Sequence, residues 1–305
     1  MPNTRFASLL FLPLLLRIAT AQDDVSRSSA VSFAEKPANA HVSRYEDWMS
    51  KLPDSLTLAQ LSIPGTHDSG ARFDGLSFGF AKCQSWGISD QLAAGVRFLD
   101  IRCRHLKNKL HIYHGVVDQK ITFENVVQDC QAFLARHPSE CIVMAVKQES
   151  TPQQNTRSFP ETFVATIENE DAIWWRGNTV PTLMEVRGKI VLVDRVASLG
   201  GLPWKLLDKQ DRYTAPVVKK QGFIRKQFEA TAADRKGRWF LNYCSGTVPA
   251  KLLNPRKYAA LTNEYTLRLI QEFPGDQHLG TVIMDFPSEA LIGRIIEANS
   301  LARVP

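Results

Sequence analysis

The 305-residue chain is notable first for what it does not contain. Beyond its first two dozen residues there is no apolar run long enough to cross a bilayer, so nothing further along reads as a membrane span. It has no CxxC pair and no Cys/His spacing of the zinc-finger kind, which removes the metal-stapled folds. GTHDSG lacks the G-x-S-x-G order of a serine hydrolase's nucleophile elbow, and its Ser69 reads as a turn residue. There is no dense Lys/Arg run and no basic–aromatic array, which weighs against nucleic acid as a partner. No internal repeat is visible. The five cysteines, Cys83, Cys103, Cys130, Cys141 and Cys244, are an odd number, so at least one thiol stays unpaired within the chain. Their spacing leaves the connectivity of any disulfides open. Cys103 and Cys244, in or beside apolar runs, read equally well as small buried hydrophobes.

What is present begins with MPNTRFASLLFLPLLLRIATAQ. Arg5 is a thin positive region, Phe6 to Leu16 is apolar, and Ala19-Thr20-Ala21 fits the small-x-small cleavage rule. Arg17 interrupts the run, which is too short to span. Residues 1–21 are therefore expected to be a secretory signal, placing the protein outside the cell. Residues 22–43 are polar, Ser-rich and aperiodic, a disordered leader. Residues 44–305 form one domain with ample core material, the whole chain being 44% apolar. The signal segment carries two arginines and no acid, so its removal lowers the formal charge of +6 by two. A mildly basic protein suits an anionic substrate or a negative membrane surface.

From Arg44 onward strand and helix patterns alternate. SLTLAQLSIP is strand-like up to Pro64, and SDQLAAG is a short helix ended by glycine. VRFLDIRC and KLHIYHG alternate as strands do. TFENVVQDCQAFLARHP is an amphipathic helix with Phe123, Val126, Val127, Cys130, Phe133 and Leu134 on one face, Thr122 as N-cap and Pro138 as stop. CIVMAVKQE, a helix near Phe159 to Asn169, GKIVLVDR, a basic stretch and polar helix, RWFLNYCSG, a helix opened by Asn254-Pro255, TVIMDF and LIGRIIEA complete the series. Seven or eight alternations match the rhythm of a (β/α)8 barrel, with a doubly wound open sheet as the alternative α/β architecture.

Several of these strands end in groups that can do chemistry: His67-Asp68, Asp100 and Arg102, His114, Lys147 to Glu149, Asp194-Arg195 and Asp285. In barrels the catalytic groups sit at the C-terminal strand ends. Two histidines with carboxylate partners form a general base and a general acid. Arg102 and Lys147 can hold an anion, and a guanidinium suits phosphate oxygens. This set fits cleavage of a phosphodiester in which a hydroxyl of the substrate is the nucleophile.

SIPGTHDSG, QLAAGVRFLDIR, LHIYHG and CIVMAVKQE together resemble the X-box half of the bacterial-type phosphatidylinositol-specific phospholipases C. The resemblance continues through RGKIVLVDR, KQDRY, FLNYCSG, NPRKYAALTN and GTVIMDF, and so covers the chain from Trp48 to the last helix. It implies a distorted TIM barrel of the PLC-like phosphodiesterase type. It makes His67 the base for the inositol 2-hydroxyl, supported by Asp285. His114 becomes the acid for the diacylglycerol oxygen, with Asp68 beside it, and Arg102 the phosphate-binding cation, with Asp100 holding the local charge. Lys147, Arg195, Asp211 and Tyr213 become inositol contacts. Gly65 is expected to allow a sharp turn after the first strand. Membrane contact is expected at Trp86, on a short helix at the barrel mouth, and at exposed Val248, Pro249, Leu252 and Leu253 on a rim loop.

The substrate implied is phosphatidylinositol or a glycosyl-phosphatidylinositol anchor, with no nucleic acid and no obligate protein partner. No cofactor is expected, and no metal. Eukaryotic relatives hold calcium with acidic groups near the first histidine, whereas here Arg102 stands at the end of the second strand and Asp68 replaces an asparagine ligand. Two other readings stay open: a metal-dependent phosphodiesterase of the glycerophosphodiester or sphingomyelinase D kind, and a non-catalytic inositol-lipid binding protein. The intact set His67, His114, Arg102 and Asp285 argues against the second.

Overall fold

The structure, a computed structural model, describes residues 45–248, 250, 253–273 and 277–301, with side chains from 169 to 171 and at 301 excluded. The signal segment, the leader, Pro249 and Leu252 lie outside the described residues. The strands are β1 (Ile63–Thr66), β2 (Phe98–Leu106), β3 (Lys109–His114), β4 (Val117–Thr122), β5 (Ile142–Gln148), β6 (Trp174–Trp175), β7 (Ile190–Asp194), β8 (Leu202–Pro203), β9 (Asp208–Gln210), β10 (Phe240–Tyr243) and β11 (Thr281–Met284). The helices are α1 (Ile88–Ala93), α2 (Phe123–Arg136), α3 (Phe159–Ile167), α4 (Leu183–Val186), α5 (Val217–Ala233), α6 (Pro255–Glu272) and α7 (Glu289–Leu301).

One parallel sheet runs β9-β10-β11-β1-β2-β5-β7. Beyond β7 a single position is shared by two short pieces, β6 beside its first half and β8 beside its second. That makes eight positions, the strand number of the expected barrel. The distortion lies in the arc from β6 to β9, where strands shrink to two or three residues. Among the described residues no ladder joins β8 to β9. Side chains bridge this seam instead: the Trp204 ring lies 4.4 Å from the Arg195 guanidinium and 5.3 Å from Lys209 Nζ. A second departure is the antiparallel hairpin β3–β4, which returns along β2 with Cys103 opposite Ile112 and carries His114 back to the level of the strand ends.

Local chemistry explains the elements. The expected apolar face of α2 is buried, and Thr122 Oγ1 accepts from Asn125 N as N-cap. Asn254 caps α6 through Lys257 N, with Pro255 in the first turn. The first strand differs from expectation. Leu58–Gln60 is a 3-10 turn, and Pro64 lies inside β1 rather than at its end. A proline fits there because parallel strands present alternate residues to alternate neighbours. Ile63 N and His67 N donate towards β11, to Gly280 O and Met284 O. The Pro64 carbonyl accepts from Arg97 N on the other side, so its missing N–H faces the stretch before β2 begins pairing. All five cysteines are free and buried, which favours the small-hydrophobe reading over disulfides.

Candidate active site

The C-terminal ends of β1, β2, β3, β5, β7 and β11 converge on one polar cluster. Gly65 is in the strand, not in a turn. A Cβ there would meet Phe98 Cβ at 2.9 Å and Ile283 Cγ1 at 3.2 Å, so the glycine is needed for close approach of neighbouring side chains. The turn comes at Asp68, whose φ of 41° is left-handed, a conformation aspartate tolerates better than most residues. Ser69 locks the turn: its Oγ accepts from Asp100 N at 2.9 Å and donates to Thr66 O. Gln84, which the sequence did not mark, donates to the carbonyls of His67 and Met284 at 2.7 and 3.0 Å.

His67 is buried between two partners. Its Nδ1 is 2.8 Å from Asp285 Oδ1, and its Nε2 is 2.7 Å from Arg102 Nη2. An arginine only donates, so Nε2 must accept, and the ring proton sits on Nδ1 facing Asp285. Burial, with the Arg102 charge adding to it, holds the His67 imidazole well below its ordinary range. Burial pushes the Asp285 carboxyl well above the carboxylate range. A carboxylate so poorly solvated gains most when its neighbour becomes a cation. The pair is therefore poised to stabilise a proton arriving on Nε2.

Arg102 is the hub. Its Nη2 also donates to Asp100 Oδ2 at 3.0 Å, and its Nε stands 3.7 Å from Asp68 Oδ2 without a hydrogen bond. Asp100 is clamped from the other side by Arg195 Nη1 at 2.6 Å. Burial alone would raise Asp100, yet Arg102 and Arg195 together hold it far below the carboxylate range. Asp68 is as deeply buried but hydrogen-bonded by neither oxygen, and burial pushes it up to about 6. His114, partly exposed, approaches Asp68 Oδ2 with Nδ1 at 3.9 Å.

The remaining expected contacts ring this centre. Lys147 Nζ donates to Glu149 Oε2 at 2.7 Å, and Glu149 Oε1 accepts from Gly115 N, tying the end of β5 to the turn after His114. The Tyr213 ring lies 5.2 Å from the His67 ring, tilted by 39°. Asp211 is exposed and enters through its charge on Arg195 rather than through a contact at the centre. Asp194, next to Arg195, is a turn residue that accepts from Val196, Ala197 and Leu199 N.

Two buried neighbours carry little signal in the sequence. Tyr243 sets its ring edge-on to His67 at 6.1 Å with its hydroxyl unpartnered. Cys83 places Sγ 3.8 Å from His114 Nδ1.

The apolar rim differs from expectation. Trp86 precedes α1 rather than lying on it, and packs half-buried against the core. Val248 and Leu253 are half-buried and pair with each other through N–H to carbonyl bonds of 2.9 and 3.2 Å. Among the described residues, the most exposed apolar side chains of the loops following His67 and His114 are Leu76, Phe78 and Val116, at 95%, 89% and 86% exposure. Leu76 and Phe78 lie in the loop leaving His67, and Val116 in the turn after His114. Phe73 N donates to Gln119 Oε1 at 2.7 Å, which holds loop and hairpin together. The signal for this patch was a run of phenylalanine and leucine among glycines, Phe73 to Phe80.

Residues 75–196 match the family model described as phosphatidylinositol-specific phospholipase C, X domain. The 1-phosphatidylinositol phosphodiesterase of Listeria monocytogenes is 31% identical over 284 residues, covering 83% of this chain and 85% of that relative. Its Staphylococcus aureus (strain Newman) counterpart is 28% identical over 294 residues, covering 83% and 94%. A solved structure, the phosphatidylinositol-specific phospholipase C from Listeria monocytogenes, is similar with a TM-score of 0.75 at 30% identity, covering 83% of this chain and 98% of that one. Motifs, fold and near full-length likeness agree: the chain belongs to the phosphatidylinositol-specific phospholipase C, X domain, family.

Proposed function

We propose that the protein cleaves phosphatidylinositol between phosphate and diacylglycerol, giving inositol 1,2-cyclic phosphate first. The observation that carries this is the chain of contacts His67–Asp285, His67–Arg102 and Arg102–Asp100, with His114 and Asp68 facing it. In the resting site Arg102 caps the lone pair of the base. A substrate phosphodiester draws the guanidinium onto its own oxygens and frees Nε2 for the inositol 2-hydroxyl. His67 takes that proton, and Asp285 steadies the imidazolium. The alkoxide attacks phosphorus, Arg102 holds the developing charge, and His114 protonates the departing diacylglycerol oxygen. Asp68, driven up by burial, supports the cationic form of His114. Lys147, Arg195, Asp211 and Tyr213 orient the inositol ring.

The membrane side of the reading rests on Leu76, Phe78 and Val116, exposed apolar groups in the loop that follows His67 and the turn that follows His114. The signal-like segment 1–21 supports work outside the cell, on lipid or on lipid-anchored proteins.

The test is to incubate the protein with phosphatidylinositol and, separately, with lysophosphatidylcholine, in EDTA, and to follow phosphorus NMR. Cyclic inositol phosphate from the first lipid alone is expected. Loss of activity in EDTA with recovery in calcium, or choline-lipid cleavage, would move the protein to a metal-dependent class.

A further inference from the structure

Cys83 is the one thiol of the five that faces the catalytic centre at hydrogen-bonding range, and no step of the proposed reaction uses it. Its Sγ stands 3.8 Å from His114 Nδ1, and His114 Nδ1 stands 3.9 Å from Asp68 Oδ2. The sulfur, the imidazole nitrogen and a carboxylate oxygen of Asp68 all lie within 4.8 Å of one another. Tetrahedral zinc, with bonds of roughly 2.0–2.3 Å, sets such ligand atoms roughly 3.4–3.6 Å apart. The imidazole nitrogen need move by only a few tenths of an ångström relative to each of the other two groups, and the sulfur and carboxylate already lie within 4.8 Å of each other. Independently of the thiol, Asp68 is fully buried and neither carboxylate oxygen has a hydrogen bond, its cationic neighbours Arg102 and His114 standing off at 3.7 and 3.9 Å.

We propose that Asp68, Cys83 and His114 form a latent site for a thiophilic divalent cation, zinc or cadmium, whose occupation switches the enzyme off. The chemistry of the donor set makes the choice of ion. A thiolate with an imidazole selects zinc or cadmium and rejects calcium and magnesium, which require oxygen ligands. Binding displaces the Cys83 thiol proton to solvent and forms a metal–sulfur bond. The thiolate and the Asp68 carboxylate then supply two negative charges to the dication, which offsets its repulsion by Arg102 3.7 Å from Asp68. A second grouping, His67 with Cys83 and Asp285, shares the same sulfur. It is the poorer site, because Asp285 and Arg102 already engage both nitrogens of His67. The entry path is the partly exposed face of His114 and Arg102.

Inhibition follows from where the metal sits. With zinc on Nδ1, His114 no longer forms the imidazolium that donates to the leaving group, and Asp68 is turned from supporting that cation to holding the metal. The site also escaped the sequence for a plain reason: its ligands are 15 and 31 residues apart on a turn, a loop and a hairpin, with no local spacing to mark them.

The experiment has two arms. In the first, cobalt(II) is titrated into the metal-free full chain and the near-ultraviolet thiolate-to-cobalt charge-transfer band is recorded, which needs no substrate and no activity. The band is expected in the wild type and not in Cys83→Ser; its absence from the wild type overturns the proposal. In the second arm, which rests on the proposed phospholipase reading, each protein's cleavage of phosphatidylinositol is followed against zinc, relative to its own metal-free rate. Zinc should inhibit reversibly by EDTA, calcium and magnesium should not, and Cys83→Ser should need at least about 10-fold more zinc. Equal zinc sensitivity of wild type and Cys83→Ser overturns the site. If the chain proves inactive on this lipid, the cobalt band still decides the metal site alone.

Discussion

Two arginines five residues apart, Arg97, fully buried, and Arg102, about one-tenth exposed, do opposite things. Arg97, just before β2, uses all three guanidinium nitrogens. It pairs with Glu140 at 2.9 Å and donates to the carbonyls of Leu92, Val96, Tyr45 and Glu46, while its guanidinium lies over the Phe133 ring. The other oxygen of Glu140 accepts from Met49 N. Every polar atom of this network is spoken for, and it pins the segment before β1 to the base of the barrel. Arg102, inside β2, leaves Nε unpartnered beside an Asp68 carboxylate with no hydrogen bond. A closed network holds a fold together. An open one that reaches the surface is a set of unmet demands that a substrate anion or a proton can meet.

The largest effect that would break this contrast is the exchange of symptoms between the two sites. Arg97→Met strands Glu140 without its cation and should lower stability by about 3–5 kcal/mol in urea unfolding. Arg102→Met should lower stability less, because Arg195 still holds Asp100, while turnover falls on the order of 100- to 1,000-fold, as for loss of one oxyanion donor. A folded, slow Arg97 variant beside an unfolded Arg102 variant would refute the distinction.

A second test sharpens the division inside the open site. His67→Ala and His114→Ala should each lose at least ~100-fold in turnover. Substrates with a better leaving group should partly rescue His114→Ala and should not rescue His67→Ala, because only the acid step becomes dispensable. Equal loss on both substrate types would undo the base and acid assignment.

Asp68 offers a pH signature of the open site. Burial pushes its carboxyl up to about 6 from an ordinary 3.8. Between those values the unfolded chain releases its proton first, so the folded state binds more protons. Stability therefore falls as pH rises from about 4 to about 6, and the penalty persists above that. Asp68→Asn should remove it, raising stability on the order of 1–3 kcal/mol at pH 7.5 and little at pH 4, while lowering turnover. An equal change at both pH values would show that the carboxyl titrates in the folded protein as it does in the unfolded chain.

How much of this was readable beforehand depends on whether a residue obeys a period. Asp100 and Arg102 stand out as charges alternating with apolar residues within β2, Lys147 as a charge near the end of the apolar β5, and His67, His114 and Asp285 sit where such strands stop. The barrel rhythm was readable for the same reason. Pairings that cross the barrel were not. Nothing local couples Arg195 to Asp100, or makes Trp204 the side-chain bridge across a seam of two-residue strands. Cys83 and Gln84 sit in a loop with no period, and their roles exist only once that loop folds back over β1 and β11. The reading of Gly65 as a turn failed because glycine serves close packing and turning alike, and only the neighbouring Phe98 decides between them.

The smallest expected effect concerns the rim, where the sequence pointed to Trp86 and the structure exposes Leu76 and Phe78 instead. Inserting one such side chain into a lipid interface is worth about 1.5–3 kcal/mol at most, and less where the group stays partly wet. Leu76→Ser and Phe78→Ser should thus each weaken vesicle binding by roughly 3- to 10-fold, with cleavage of a soluble inositol phosphodiester and thermal stability unchanged. Trp86→Ala should behave differently. Its ring packs against the core, so truncation should lower the melting temperature before it touches vesicle sedimentation. The two outcomes separate an apolar group that faces water for a purpose from one that merely reaches the surface. Should Trp86→Ala weaken sedimentation without loss of stability while Leu76→Ser and Phe78→Ser bind normally, the contact surface lies around Trp86 and the exposed loop is incidental.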